Sequence, residues 1–534
     1  MKKIIALLLL VLLAVPNFAG AESDGIVEVL KIGTTKPADT FNIMVENGSY
    51  GKMNYNGFCA APFLVPDAEG HVQPFIMTGW EISDDQNSMV ATFATDQGIL
   101  WHDGQPLTMD DILFTFDFMI NVKKSTYVKN LLSVEKVDDK TAKFTFENNA
   151  AFGVLNNMAL SVYVYPKHIW EGVEDYANYA EADAAIGCGP YKLTDIDQEA
   201  QVVTYEAMGE TYLGRELTVK KVVVRSYDSH DALVMALKTG EVDAMYDYSN
   251  ALDASMKPAV TDVENLDPGM SVNPGNFQMV FGFNVAPTND IAFRKAVAAA
   301  LDYALLAGTI GGEDGQIANV GIISPANKGF DATLPMNQQD VDAARTILEE
   351  AGYVDVDGDG MRENPQGEAM SVLVTPQYNA TRSALYLRIA EIVIQNLQEV
   401  GINAVLDEES VRNSDHYNEF NKSGMIEIGI GYTSPGVAQF RSAYAYMTAG
   451  SLQGTCALPE LVEAYNAMVG CSSYAEYNEN MAKLQAVNAE QVVGIALCWD
   501  KAYFPYRTDK YEGWVNFPGF GVINNQTWYT LHTR

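Results

Sequence analysis

Residues 101–111 read WHDGQPLTMDD, with a histidine beside an aspartate and a glycine, then two more aspartates. These letters serve an acid–base pair, a metal site or the turn that starts a helix. The choice decides whether the chain is read as an enzyme or as a framework of strands and helices. Asp103-Gly104 is a turn signal. Thr108 and Asp111 have the spacing of a capping box, with Asp in place of the usual Glu or Gln. Ile112, Leu113, Phe116 and Ile120 then repeat at helical intervals. The aspartates fall in a helix's first turn, where the dipole favours negative charge. Only His102 has no structural duty. A lone histidine beside an aspartate is commoner as a turn residue than as a base, so the stretch predicts structure and leaves His102 as the one candidate for catalysis.

The rest of the chain adds little to an enzymatic reading. It contains no HExxH, GxSxG, GxxxxGK[ST] or strand-linked GxGxxG. The histidines at 71, 102, 168, 230, 416 and 532 offer no local metal pair. One stretch does have metal-like spacing: DVDGDGMRENPQ, residues 355–366. Asp355, Asp357 and Asp359 alternate and Gly360 supplies a sharp turn, as in the first half of a calcium loop. The twelfth position is Gln366 where a bidentate Glu is expected, and Glu363 or Glu368 could substitute. The loop is therefore a candidate structural Ca2+ site at residues 355–363; otherwise it is an acidic turn between a helix and a strand, and no cofactor is required.

The N-terminus has Lys2 and Lys3, an apolar run from Ile4 to Val15, and Ala19-Gly20-Ala21. This is the pattern of a secretory signal cleaved after residue 21, too short for a comfortable membrane span. The first cysteine is Cys59, so no lipid anchor is expected and the protein should be periplasmic or extracellular. Removing the signal takes two lysines and no acid, moving the formal charge from −35 to −37. Such acidity argues against nucleic acid and against an anionic membrane surface. Five cysteines, with no CxxC, exclude a zinc ribbon; Cys456 and Cys471 flank a plausible helix and could pair.

Strand and helix patterns alternate throughout, which predicts an α/β fold. Strands are expected at 26–32, 202–205, 219–224, from Phe277, at 370–374 and from Ile402. Helices are expected at 229–239, with Ala232, Leu233, Ala236 and Leu237 as the apolar stripe, and at 293–310, 340–351 and 384–400. Two α/β sets in one chain suggest two lobes, and the aromatic C-terminal stretch from Val492 could fold back on the first.

Taken together, several stretches resemble the family 5 extracellular solute-binding proteins of ABC importers. They are residues 79–118 (GWEISDDQ…LFTFDF), GCGPYKL at 187–193, ALKTGEVDAMY at 236–246, FNVAPTNDIAFRKAVAAALD at 283–302, ILEEAGYVDVDGDGMRE at 347–363 and IQNLQEVGI at 394–402. The resemblance implies a two-lobed periplasmic-binding-protein clamp with an extra small subdomain in lobe I. It divides the chain into signal peptide 1–21, lobe I at 22–60, its subdomain at 61–176, lobe I again at 177–280, lobe II at 281–488 and a return to lobe I at 489–534. Crossing strands near 277–284 and 492–499 would form the hinge.

It also implies a monomer that captures a small-molecule or oligopeptide ligand and delivers it to permease subunits in the membrane. In peptide-binding relatives an acidic residue in a GW-x-x-D segment meets the peptide's ammonium. The matching stretch here is GYTSPG, residues 431–436, with Tyr432 for tryptophan and Pro435 where the aspartate would be. Candidate ligand residues are Tyr432, Thr433 and Ser434, then Phe440 and Arg441, with Tyr444 and Tyr446 nearby, and Phe41 and Asn42 after the first strand. An oligosaccharide, a metal chelate or, in a different class, an exported hydrolase built on His102 remain open.

Overall fold

The computed structural model describes residues 25–37, 40–45, 58–159, 161–247, 250–379, 382–413, 415–433 and 458–534. Among the described residues the strands gather into two main sheets, a four-stranded sheet and four two-stranded pairs. The first, in lobe I, has seven strands in the order Leu266–Asp267, Tyr506–Arg507, Ala244–Met245, Leu30–Thr34, Lys221–Ser226, Val202–Ala207, Tyr191–Asp197. Leu30–Thr34 runs parallel to both its neighbours, Lys221–Ser226 and Ala244–Met245. Tyr506–Arg507, near the C-terminus, lies between Ala244–Met245 and Leu266–Asp267, so the end of the chain does return to lobe I. The first strand begins at Leu30, with Val27 making only an isolated bridge to Val219.

An antiparallel sheet of four strands, Met77–Ile82, Ser88–Phe93, Thr141–Phe146 and Leu131–Lys136, forms the subdomain. It shares one apolar cluster with the lobe I sheet, from Val27 through Phe144 to Leu531. The WHDG stretch joins the two. Thr108 caps the helix Met109–Asp117, and the capping box with Asp111 is formed. Asp111 also accepts the Lys167 backbone N–H at 2.9 Å, so this buried carboxylate fixes a second element.

Lobe II holds five strands in the order Ala404–Leu406, Val372–Pro376, Ile428–Thr433, Asn276–Phe281, Gly494–Ala496. Helix Ser383–Glu399 buries Ile389, Ile392, Val393 and Leu397 beneath it. Each such side chain contributes about 1.5–3 kcal/mol. Gly401, at φ 84°, turns the chain back in the left-handed region that a side chain disfavours.

Three local expectations change. The helix expected over 293–310 is two, Ile291–Ala300 and Tyr303–Gly311. The apolar period runs through the break, but Asp302 accepts the Leu305 N–H and so caps a new helix. In helix His230–Thr239, Ala232 is exposed and Val234 takes its place in the buried stripe. The strands near 277–284 and 492–499 belong to lobe II itself. The passages between lobes lie just outside them, beyond the antiparallel pair Met270–Val272 and Lys501–Tyr503, where the Asn273 N–H donates to the Asp500 carbonyl at 3.1 Å.

Candidate functional site

In open α/β sheets, ligands sit in the crevice outside the carboxyl ends of the strands. In lobe I those ends lead from Leu30–Thr34 into Thr35 and Lys36, and from Ala244–Met245 into Asp247. Asp247 is buried. His230 lies 3.2 Å from its carboxylate and Lys36 3.6 Å, the Asn250 amide donates at 3.2 Å and the Thr35 hydroxyl donates too. Burial alone would raise its pKa, but His230 and Lys36 hold it below the usual carboxylate value. In lobe II the ends are Gln377, after Val372–Pro376, and Tyr432 and Thr433, closing Ile428–Thr433.

Arg382 joins the two sets. It precedes helix Ser383–Glu399 in lobe II and reaches into lobe I. Its Nη2 donates to the Ala251 carbonyl at 2.8 Å, and its Nε lies 2.9 Å from Asp253 Oδ1. Its guanidinium is 5.8 Å from the centroid of the Tyr432 ring. The Tyr432 hydroxyl donates to Asn273 Oδ1 at 3.0 Å, and its ring stands edge-on to Phe277 at 5.3 Å. Burial, with Asp500 nearby, pushes the Tyr432 hydroxyl up to about 12, so it is a neutral donor. Gly275 makes this seat possible: a Cβ there would lie 2.4 Å from the Tyr432 hydroxyl oxygen. Asp500 completes the group, its pKa pushed up to about 6 by burial against the opposing pull of Arg382 and Asn273.

The lobes meet again at the subdomain. Tyr474 of lobe II accepts the Val72 N–H at 3.0 Å and donates to Asn156 Oδ1 at 2.6 Å, while Lys328 donates to His71 Nε2 at 2.9 Å.

Of the residues singled out in the sequence, Tyr432 and Thr433 close strand Ile428–Thr433 beside this group. The Thr433 hydroxyl is buried without a hydrogen-bond partner. Ser434, Phe440, Arg441, Tyr444 and Tyr446 lie outside the described residues. Asn42 is placed elsewhere: its amide donates to the Tyr176 and Tyr179 carbonyls at 2.7 and 2.9 Å, and its oxygen accepts the Met44 N–H, so it braces lobe I. Phe41 packs half-buried on the same core. Arg382, Asp253, Asn273 and Asp500 were not anticipated.

His102 is a structural residue. Its Nδ1 accepts the Gly187 N–H at 3.4 Å, which leaves Nε2 as donor to the Gly189 carbonyl at 3.1 Å. Burial lowers its pKa to about 4. GCGPY is thereby held between His102 and the backbone of 58–60, where a Cβ on Gly187 would lie 2.0 Å from the Cys59 carbonyl oxygen.

Around the acidic loop, the Asp355, Asp357 and Asp359 carboxylates lie within 4.8 Å of one another, all exposed. They also cap the loop's own N–H groups, Asp355 accepting from Gly358 at 2.6 Å and Gly360 at 3.0 Å. Glu363 is buried and accepts the Val356 N–H at 2.7 Å. Cys188, Cys471 and Cys498 are buried free thiols and Cys59 is buried; Cys456, the suggested partner of Cys471, lies outside the described residues.

The oligopeptide-binding protein AppA of Bacillus subtilis is 27% identical over 320 residues, 57% of this chain and 56% of that protein. The match therefore spans a little over half of the relative's length. The solved structure of AppA in complex with a nonapeptide superposes with a TM-score of 0.74 at 19% identity, covering 95% of this chain and 99% of the other. A periplasmic oligopeptide-binding protein of Thermotoga maritima, bound to mannohexaose, superposes with a TM-score of 0.70 at 20% identity over 95% and 99% of the two chains. At such identities the superpositions establish the two-lobed fold, while the family model "bacterial extracellular solute-binding proteins, family 5 middle" matches residues 71–452, most of both lobes. A chain that matches this model over most of its length and folds as its solved relatives do belongs to the family 5 bacterial extracellular solute-binding proteins.

Proposed function

We propose that this protein is exported through its first 21 residues, binds a peptide-like ligand as a monomer in the crevice between its lobes, and hands it to the permease of an ABC importer. The observation that carries this reading is the Arg382 bridge, which joins lobe II, beside Tyr432, to Ala251 and Asp253 of lobe I. The bound ligand must favour the closed arrangement over the open one, because only differential affinity shifts the population. No helix among the described residues is long and apolar enough to cross a membrane. The role is binding without turnover, and the burial of His102 takes the candidate base away from any substrate.

AppA of B. subtilis, whose structure holds a nonapeptide, supports the peptide class. An oligosaccharide is the second reading, since the T. maritima protein is an oligopeptide-binding protein in name that holds mannohexaose. Sugar rings would then stack on Tyr432. Purification from the native host, denaturation and mass spectrometry of the released material separates these. A mixed set of peptides bears out the proposal; a single sugar or metal chelate keeps the clamp and refutes the peptide class. We also read the 355–363 loop as holding a structural calcium ion. The convergence of Asp355, Asp357 and Asp359, with Glu363 anchored beside them, supports this.

A further inference from the structure

Away from the Arg382 group, the lobes also meet at the subdomain, where a lysine and a histidine from opposite lobes share one hydrogen bond. The lobe II side is a single block. Ser473 caps helix Tyr474–Gln491 by accepting the Glu476 N–H, which sets Tyr474 in its first turn. Further along that helix the buried Gln485 accepts the Asp331 N–H at 3.0 Å and donates to the Gly329 carbonyl at 2.6 Å, so the loop carrying Lys328 is fastened to it. The subdomain side is the hairpin of Leu64–Pro66 and Val72–Pro74. Asp67 shapes its turn by accepting the Glu69 and His71 N–H groups at 3.1 and 2.8 Å. Across the gap, Lys328 Nζ lies 2.9 Å from His71 Nε2. An ammonium only donates, so Nε2 is the accepting nitrogen and the ring proton is on Nδ1, 3.6 Å from Asp67 Oδ2. The Tyr474 ring stands edge-on to His71 at 4.4 Å, and its hydroxyl bonds to Val72 and Asn156 hold it there.

We propose that the Lys328–His71 contact is a pH-sensitive latch between the lobes, made while His71 is neutral and broken when it takes up a proton. The pair shares one hydrogen between two nitrogens. A second proton removes the acceptor and sets two cations face to face. The other titratable groups around His71 are Asp67 and Glu69 on its own hairpin and Tyr474, with Cys471 beside it, from lobe II. Helix Ala151–Met158, which brings Phe152 and Asn156 to the same contact, carries no charge. Asp67 travels with His71, so a protonated imidazole keeps its counter-ion when the lobes part and escapes only the repulsion of Lys328. Closing therefore expels a proton and opening takes one up. The latch is present at high pH and is lost as the pH falls through the range where imidazoles titrate, about 8 to 5. Burial holds Lys328 below the usual lysine value against the pull of Asp67 and Glu69, and raises Tyr474 above the usual tyrosine value, so the bonds of Tyr474 survive acid and the clamp is loosened, not dismantled. The device acts on closure itself, whichever ligand class the crevice takes.

The test uses the full-length protein cleared of ligand, its radius of gyration followed by small-angle scattering from about pH 8 to about pH 5. His71 is 39% exposed, so the closed-to-open ratio should fall on the order of tenfold over that range, the low end of what a charged hydrogen bond contributes. His71→Gln offers Lys328 a carbonyl oxygen that does not titrate, and it should stay as compact at the acid end as at the alkaline end. Lys328→Met should have the expanded radius at both ends. The imidazole resonances of His71 give an independent reading in solution: their titration midpoint should rise in Lys328→Met, where the neighbouring cation is gone. A parent with one radius across the range overturns the proposal. So does a His71 midpoint that Lys328→Met leaves unmoved, because the two side chains then do not meet. An acid expansion that persists in His71→Gln arises at other groups and refutes the assignment to His71.

Discussion

Arg382→Met is the perturbation that asks most of this structure. Methionine keeps an unbranched apolar stem but deletes the charge. Lost are the 2.8 Å hydrogen bond from Nη2 to the Ala251 carbonyl and the 2.9 Å ion pair with Asp253. A hydrogen bond from a charged donor contributes about 1.5–3 kcal/mol. The ion pair adds less, because the Asp253 side chain is 32% exposed, and such pairs contribute about 0–1 kcal/mol. Together the bridge amounts to about 1.5–4 kcal/mol of adhesion between lobes, which shifts a closed-to-open ratio by roughly 10- to 900-fold. The variant should show a larger radius of gyration by small-angle scattering without ligand, and apparent ligand affinity should fall by a similar factor. A double-mutant cycle with Asp253→Asn divides the effect. Asp253→Asn alone should cost well under half of what Arg382→Met costs, since the carbonyl bond survives it. An equal cost for the two, or an Arg382→Met protein as compact and as tight-binding as the parent, would refute the assignment of lobe closure to this bridge.

Gly275→Ala places a Cβ 2.4 Å from the Tyr432 hydroxyl oxygen and 2.6 Å from the Thr433 carbonyl oxygen. It should cost about 1–3 kcal/mol in stability by denaturant melt and displace Tyr432, weakening ligand binding more than Tyr432→Phe does. His102 has its pKa lowered to about 4 from 6.5, so the folded state binds fewer protons than the unfolded one between those values. Its contribution is fully present above about pH 6.5 and is lost as pH falls toward 4, on the order of 3 kcal/mol in all. His102→Gln should therefore flatten the stability profile over pH 4–6.5 while leaving ligand affinity at pH 7 unchanged, and a lost affinity would return His102 to the functional residues. Calcium at about 100 times its dissociation constant should stabilise the protein by about 2.7 kcal/mol, and Asp357→Asn should abolish the increment; equal melting with and without the ion removes calcium from the 355–363 loop.

The parts of this fold legible in the sequence were those whose signals are local. Helices Val341–Glu350 and Ser383–Glu399 have an uninterrupted apolar period and end at Gly352 and Gly401, both left-handed. The capping box at Thr108 was legible for the same reason: its two partners are three residues apart. The break at Leu301 was not, because Asp302 carries the cap signal inside a run whose hydrophobic period does not falter. Asn42 shows the converse failure. Its position after the first strand is right for a ligand contact, but its bonding is settled by the carbonyls of Tyr176 and Tyr179, more than 130 positions away in the chain.

Of this group only Tyr432 was legible, from its place in the GYTSPG stretch, for a reason that also shapes how the group works. Asp253, Asn273, Arg382, Tyr432 and Asp500 come from five separate stretches, the other four in no recognisable motif, and only the strand order of two sheets brings them together. Each segment can move with its own lobe. Asp253 travels with lobe I, Arg382 and Tyr432 with lobe II, while Asn273 and Asp500 sit on the passages between and stay joined to each other by a backbone hydrogen bond. Opening of the clamp would therefore separate Arg382 from Asp253. At about 1.5–4 kcal/mol the Arg382 bridge falls short of the roughly 5.5 kcal/mol that turns a 1:99 mixture into 99:1. The lobes are thus held by an amount that a ligand can complete but that does not lock them without one.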